Sequence, residues 1–345
     1  MASIIDLTQV GTASTVRPAS TSLLTVSSID RYRTYAESRG TLDASGEVAV
    51  KYPSSPYDFL IRKNQSILNG FFSRIAVTQI RMPWIVPNIN FSTQKILFIT
   101  PDGPQVISLN YGFYTPALLA ATLQAKIQDI SGYETFTVTY GDYTSQPRFR
   151  FEPNASGQYN FAPMPPNFNS GDAGYYPYNI SRRQLYDLLG LNYLITNNET
   201  NPLPYIGGGF NGGDTLCQYT NFVDIVCSNI TLNQSLKDDS TSSYAFDSLC
   251  RLYITSPDQN VLPGDATFAP PGTTPQVLYY DYNSPKQIQW NSVQPIGQLQ
   301  FTVVDDQGYN LDSAIFYQAP ITGIDLGYIG RTGGEWNMTL QVTEN

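Results

Sequence analysis

The stretch that most constrains this chain runs from residue 71 to 86. It is rich in β-branched and aromatic side chains, preceded by Gly70 and closed by Pro83 and Pro87. Glycine supplies the backbone freedom of a turn. Proline cannot donate to a ladder and sits at strand ends or edges. So long a strand needs a large sheet, such as one half of a sandwich. The run offers no metal ligand and no phosphate cradle, so it speaks of architecture before chemistry.

Composition narrows the choice further. The 345 residues suffice for two domains or one large β domain with an insertion, and 41% are apolar, enough for a sizeable core. Only 14% are charged, and 25 Tyr, 26 Gly and 24 Pro favour strands and turns over long helices. Charge-poor, aromatic-rich surfaces suit buried interfaces. The net charge of −9 disfavours direct nucleic-acid binding. Histidine is absent, which excludes His-based triads, His general bases and His-ligated metals. Cys217, Cys227 and Cys250 form no C-x-x-C pair and read as buried free thiols, not as a zinc site or disulfide framework. No apolar run is long enough for a transmembrane helix, and the first 30 residues lack a signal-peptide core. The expected catalytic, cofactor-binding and metal sites are therefore none.

Along the chain, residues 1–45 are Ser/Thr-rich and are expected to form an extended arm that orders only against neighbouring molecules. A short strand is expected at 46–52, the long one at 71–86, and another at 95–100 before the Pro101-Asp102-Gly103 turn. Thr115 as N-cap, Pro116 at the first helical position and Leu119, Leu123 and Ile127 on one face predict a helix. Residues 135–140 and 148–152 alternate and predict a hairpin. A second helix is expected to open at Ser181, with Gln184 completing a capping box, Leu185, Leu188 and Leu189 on one face, and Gly190 as stop. Strands are then expected at 222–230, 249–255, 277–282, 286–290, 298–303 and 336–342, with Leu299, Phe301, Val303, Trp336, Met338, Leu340 and Val342 inward. With the two early strands they make eight. The expected fold is all-β: an eight-stranded jelly-roll sandwich from 46–90 and 216–345, with a small α+β insertion at 91–215 and the N-terminal arm at 1–45.

Four groups invite a chemical reading. Asp305-Asp306 and Asp238-Asp239 could be paired carboxylates for glycoside hydrolysis, but both sit in turn sequence where Asp is favoured anyway. The glycine-rich run 207–214 lacks the Lys and helix of a phosphate cradle and reads as a loop returning from the insertion. Tyr175, Tyr176, Tyr178, Tyr193, Tyr279, Tyr280 and Tyr282 could stack on sugar rings or serve protein contacts. Arg182-Arg183 reads as a solvated or interface pair.

Several stretches together resemble the minor capsid (penton) proteins of virophages, polinton-like viruses and related double-jelly-roll DNA viruses. They are SILNGFFSRIAVTQIRMPWIVPNIN, then ISLNYGFYTPALLAATLQAKI with the FTVTY…FRF hairpin, then RQLYDLLGL, and last GQLQFTVVDDQGYNLD with WNMTLQV. They run in that order over about 46–345, while the arm and 153–180 carry no match. The resemblance implies a virion protein at the capsid vertex, made in the host cell without a signal peptide and assembling as a homopentamer. Its implied partners are copies of itself, the major capsid protein, and other minor capsid proteins or a vertex spike, with no catalytic residues to carry over. Two alternatives stay open: another minor or cement protein of that lineage, and a glycan-binding host-attachment protein.

Overall fold

The computed structural model of the chain describes residues 21–31, 41–42, 48–49, 56–62, 67–68, 72–142, 147–153, 157–164, 183–191, 206–231, 248–255, 270, 272–289, 296–311 and 335–344. The chain opens with strands β1 (Thr21–Ser27), β2 (Thr41–Leu42), β3 (Val48–Ala49), β4 (Asp58–Arg62) and β5 (Phe72–Trp84). A mixed stretch follows: β6 (Lys95–Thr100), β7 (Gly103–Ser108), helix α1 (Pro116–Gln128), β8 (Thr137–Asp142), β9 (Pro147–Glu152), β10 (Gln158–Ala162), the single turn α2 (Leu185–Leu188), β11 (Ile206–Gly207) and β12 (Phe210–Asp214). The chain then returns to strands: β13 (Phe222–Val226), the turn α3 (Ser228–Thr231), β14 (Ser248–Tyr253), β15 (Gln276–Asp281), β16 (Gln287–Gln289), β17 (Gln298–Asp305) and β18 (Asn337–Glu344).

Two of the sheets make a jelly roll. One has the order β1-β18-β5-β15, with β16 continuing beside β5, and the other β14-β13-β17-β4. Every pairing in both is antiparallel. If β15 and β16 count as one broken strand, the sheets read first-eighth-third-sixth and second-seventh-fourth-fifth. This is the interlocked Greek-key order of an eight-stranded jelly roll. The fold is all-β, as the composition and alternation predict.

The long strand β5 shows how sequence becomes sheet. Ile75 and Val77 point into the core at odd positions, but Ile80, Met82 and Trp84 do so at even ones. A strict period of two cannot give both. Along β18, Thr339 pairs with Gln79 and Leu340 with Val77, so Thr78 is the extra residue of a β-bulge. The bulge flips the inward face, and the Thr78 carbonyl accepts the Tyr282 N–H at 2.8 Å where β15 gives way to β16. Pro83 is not the strand's end, since β5 runs on through Trp84. In β17 and β18 the alternating inward residues are buried as expected: Leu299, Phe301 and Val303, then Met338, Leu340 and Val342, with Trp336 just ahead of β18.

Most of the buried apolar residues described fall into two clusters. The first draws on residues between 26 and 86 and between 219 and 342 and fills the sandwich. The second draws on residues between 89 and 217 and is aromatic at its centre. There Phe98 meets Tyr133 and Phe136 edge-on, at 5.0 and 5.7 Å between centroids, and lies stacked on Tyr159 at 5.8 Å. Helix α1 is capped by Thr115, whose side chain accepts the Leu118 N–H, and it buries Leu119, Leu123 and Ile127. Strands β8 and β9 form the expected hairpin.

Five expectations change. Thr21–Ser27, part of the Ser/Thr-rich segment, is not an arm but a full strand along β18. Its partner lies some 300 positions away, so no local signal reveals it. Asp58–Arg62 is the second jelly-roll strand, whereas the described part of the candidate at 46–52, Val48–Ala49, pairs with β2 in a two-stranded ladder. The candidates at 277–282 and 286–290 occupy one strand position, beside β5. Helix α2 is capped by Gln184 with Asp187 completing the box, not by Ser181, which lies outside the described residues. The glycine run is not a loop: Phe210–Asp214 pairs with β9. Its glycines serve packing, because a Cβ at Gly212 would lie 2.5 Å from the Leu189 carbonyl oxygen. One at Gly190 would lie 2.3 Å from that of Gly213, and Gly190 has φ +69°.

Candidate functional site

The carboxylates singled out by sequence are occupied by turn chemistry. Asp305 is buried, and its Oδ1 accepts the N–H groups of Gln307 at 3.0 Å and Tyr309 at 2.8 Å. Asp306 Oδ2 accepts the Asn221 N–H at 3.0 Å and the Asn221 side-chain amide at 2.9 Å. The same oxygen lies 3.4 Å from Arg183, whose guanidinium also donates to the Tyr219 carbonyl and whose N–H reaches Gln307 Oε1 at 2.9 Å. This pair therefore latches the turn after β17 to the segment just ahead of α2. Asp238, Asp239 and Arg182 lie outside the described residues, as do Tyr175, Tyr176, Tyr178 and Tyr193.

A second latch sits where the chain leaves β5 and where it returns. Asn88 is fully buried. Its amide donates to the carbonyls of Tyr114 at 2.8 Å and Cys217 at 3.0 Å, and its Oδ1 accepts the Tyr114 N–H at 2.8 Å. Cys217 holds φ +62°, an unusual value for a side chain with a Cβ. All three thiols are buried and free. Burial suppresses the ionisation of each, pushing the Cys227 and Cys250 thiols up to about 12, with Asp224 adding to the effect at Cys250. Such thiols are packing groups, not nucleophiles.

The tyrosines of β15 have a role that sequence reasoning missed. Tyr280 and Tyr282 face inward, stacked 6.0 Å apart, and their hydroxyls cross to the other sheet. Tyr280 donates to the Tyr253 carbonyl and Tyr282 to that of Arg251 at 2.7 Å. Lys286 Nζ adds a bond to the Ser248 carbonyl at 2.8 Å. The carbonyls along the outer edge of β14 are thus capped by side chains from the β15–β16 strand. Nearby, Arg251 grips Asp224 through two bonds, at 2.9 and 2.8 Å, and lies 3.7 Å over the Phe222 ring. Of the three tyrosines only Tyr279 presents an exposed ring, beside the equally exposed Val277. The signal for the staple was the i, i+2 spacing of Tyr280 and Tyr282, but its acceptors were invisible in a one-dimensional reading.

At the opposite end of the sandwich, Arg31 pairs with Glu335 through two bonds, at 2.6 and 2.7 Å, and its side chain is almost wholly buried. This pair and the Ser28–Trp336 backbone bond pin the turn that follows β1 to the residues just ahead of β18. The rest of β1 lies open. Its burial falls outward, and Leu23 is 70% exposed.

Among the described residues no cluster of three or more Cys, Asp or Glu could hold a metal, and no helix is long and apolar enough to cross a membrane. The geometry thus defines a jelly-roll protein whose polar clusters work as latches and staples. No family model matches the chain, and no curated protein matches it. Among solved structures it is similar to the mavirus penton protein, at 8% sequence identity and a TM-score of 0.43, over 95% of this chain and 100% of that one. The topology described above stands on the strand pairings alone.

Proposed function

We propose that this chain is a structural virion protein, the penton subunit at the vertices of an icosahedral capsid. It assembles as a homopentamer and meets the major capsid protein around it, with other minor capsid proteins or a spike as further partners. The observation that carries this reading is the way the extra unit is housed. Residues 89–217 leave after the third jelly-roll strand and return before the fourth, and all eight strands keep their places. A sandwich of that kind can tile side by side in a shell while the inserted α+β domain varies independently. The charge-poor, Tyr-rich composition supports large protein contacts, and the order of the resembling motifs supports the vertex position. A ring closes only through a heterologous interface, in which two different surfaces of each copy meet.

Native mass measurement and electron microscopy of particles test it. The expected species has five times the chain mass of 38.3 kDa and occupies the fivefold positions. Removing residues 1–20, which spares β1, is expected to leave the sandwich folded and to reduce incorporation. A folded monomer that never enters particles would overturn the proposal.

A further inference from the structure

A sandwich of two four-position sheets has four lateral edges, and a bare edge is a template for another strand. Three of the four are managed here. The edge of β14 is capped by Tyr280, Tyr282 and Lys286. The edge of β15 breaks after Asp281, where Asn283, Ser284 and Pro285 interrupt it before β16. That of β4 carries Asp58 and Arg62 in five residues. β1 has none of these devices. Its sequence is Thr-Ser-Leu-Leu-Thr-Val-Ser, with no charge, proline or glycine. Its register with β18 runs unbroken from Thr21↔Thr343 to Ser27↔Asn337, and it pairs with no other described strand. Leu23, its third residue, is the most exposed large hydrophobic among the described residues. A regular, uncharged strand with an outward leucine invites sheet extension.

We propose that the free edge of β1 is covered by residues 3–10 of a second copy of this chain, added as a further antiparallel strand. That segment reads Ser-Ile-Ile-Asp-Leu-Thr-Gln-Val, a β-forming run in an otherwise Ser/Thr-rich N-terminus. In an extended strand Ile5 and Leu7 share one face, which pairs with the outward Leu23. Its connection to β1 is Gly11–Ser20, ten residues. Hairpin connections run to about five, whereas ten extended residues reach roughly 33 Å. That length suits a strand delivered to a neighbour. Exchange around a ring is heterologous, each copy giving a strand and receiving one.

The proposal deepens the assembly reading and rests on it, but it is scored on purified protein and can fail while particle incorporation stands. Leu23→Cys and Ile5→Cys are introduced together, since the native thiols are buried, and the full chain is oxidised and run without reductant. The expected result is a ladder of covalent oligomers, absent from either single variant. An internally cross-linked monomer would overturn exchange in favour of a hairpin, and no cross-link would overturn the site itself. Leu23→Lys is the second arm: it changes a side chain that is 70% exposed and belongs to neither large core, so circular dichroism should be unchanged while the oligomer dissociates. Retained oligomer mass in Leu23→Lys would also count against the proposal.

Discussion

The core of the sandwich and the core of the inserted unit are built differently. Inside the sandwich the packing is mostly aliphatic, with Ile75, Ile80, Val223, Ile225 and Leu340 fully buried around Trp84 and Trp336. Inside residues 89–217 it is ring against ring, with Phe98, Phe136, Phe149, Phe151, Tyr159 and Phe161 all fully buried. Range differs as well. The sandwich is closed by β1 against β18 and by β5 against β18, pairings that span most of the chain, whereas β8 pairs with β9 across a few residues. Long-range pairing delays folding, because loop-closure entropy is lost before the contacts form. The inserted unit can therefore form early, and the sandwich must wait for its last strand.

The sharpest way to break that contrast is Trp336→Ala. Trp336 is fully buried, meets Phe59 and Phe301 at 5.5 and 6.0 Å, and donates from Nε1 to the Pro56 carbonyl at 2.6 Å. A cavity of that size costs about 3–5 kcal/mol. The expected outcome is a large loss of sandwich stability in urea, with amide protection in 89–217 retained. Equal loss of protection in both would mean that the two cores unfold as one cooperative unit.

Which parts were legible in the sequence follows from the same contrast. Helix α1 was readable because Thr115, Pro116 and the leucine spacing lie within fifteen residues. The β8–β9 hairpin and the alternation in β17 and β18 were readable for the same local reason. Strand β1 was not, because a Ser/Thr-rich segment becomes a strand only when β18 supplies its partner. The parity change in β5 was written in the spacing of Val77 and Ile80, yet only the pairing with β18 shows it to be a bulge at Thr78. Strand β12 was hidden because its glycines resembled a loop, whereas the close approach of Leu189 and Gly190 demands them. At the candidate sites the turn reading of Asp305 was legible from its neighbours, whereas the staple made by Tyr282 was not, because its acceptor lies on another sheet.

Asn88 tests whether the two cores are mechanically joined. Asn88→Ala leaves the Tyr114 N–H and the Tyr114 and Cys217 carbonyls without the side chain that serves them. An unmet buried polar group costs about 1–3 kcal/mol. The expected signature is a modest drop in stability together with a wider separation of the two unfolding transitions, read by calorimetry. A single shifted transition would show that Arg183 and its contacts with Tyr219, Asp306 and Gln307 suffice to couple the units.

The smallest expected effect separates one edge of the sandwich from the other. Tyr282→Phe keeps the ring that packs against the core and removes the hydroxyl, with its bond to the Arg251 carbonyl. A single hydrogen bond of this kind contributes about 0.5–1.5 kcal/mol, so global stability should fall by no more than that. The informative readout is local: amide exchange should quicken in β14 and stay unchanged in β1, because the staple protects one edge and not the other. If a Tyr280→Phe, Tyr282→Phe double variant also self-associates more strongly, the uncapped carbonyls of β14 have become a second template for an added strand. The hydroxyls would then be restricting strand addition to β1, a role that their small contribution to stability would not reveal.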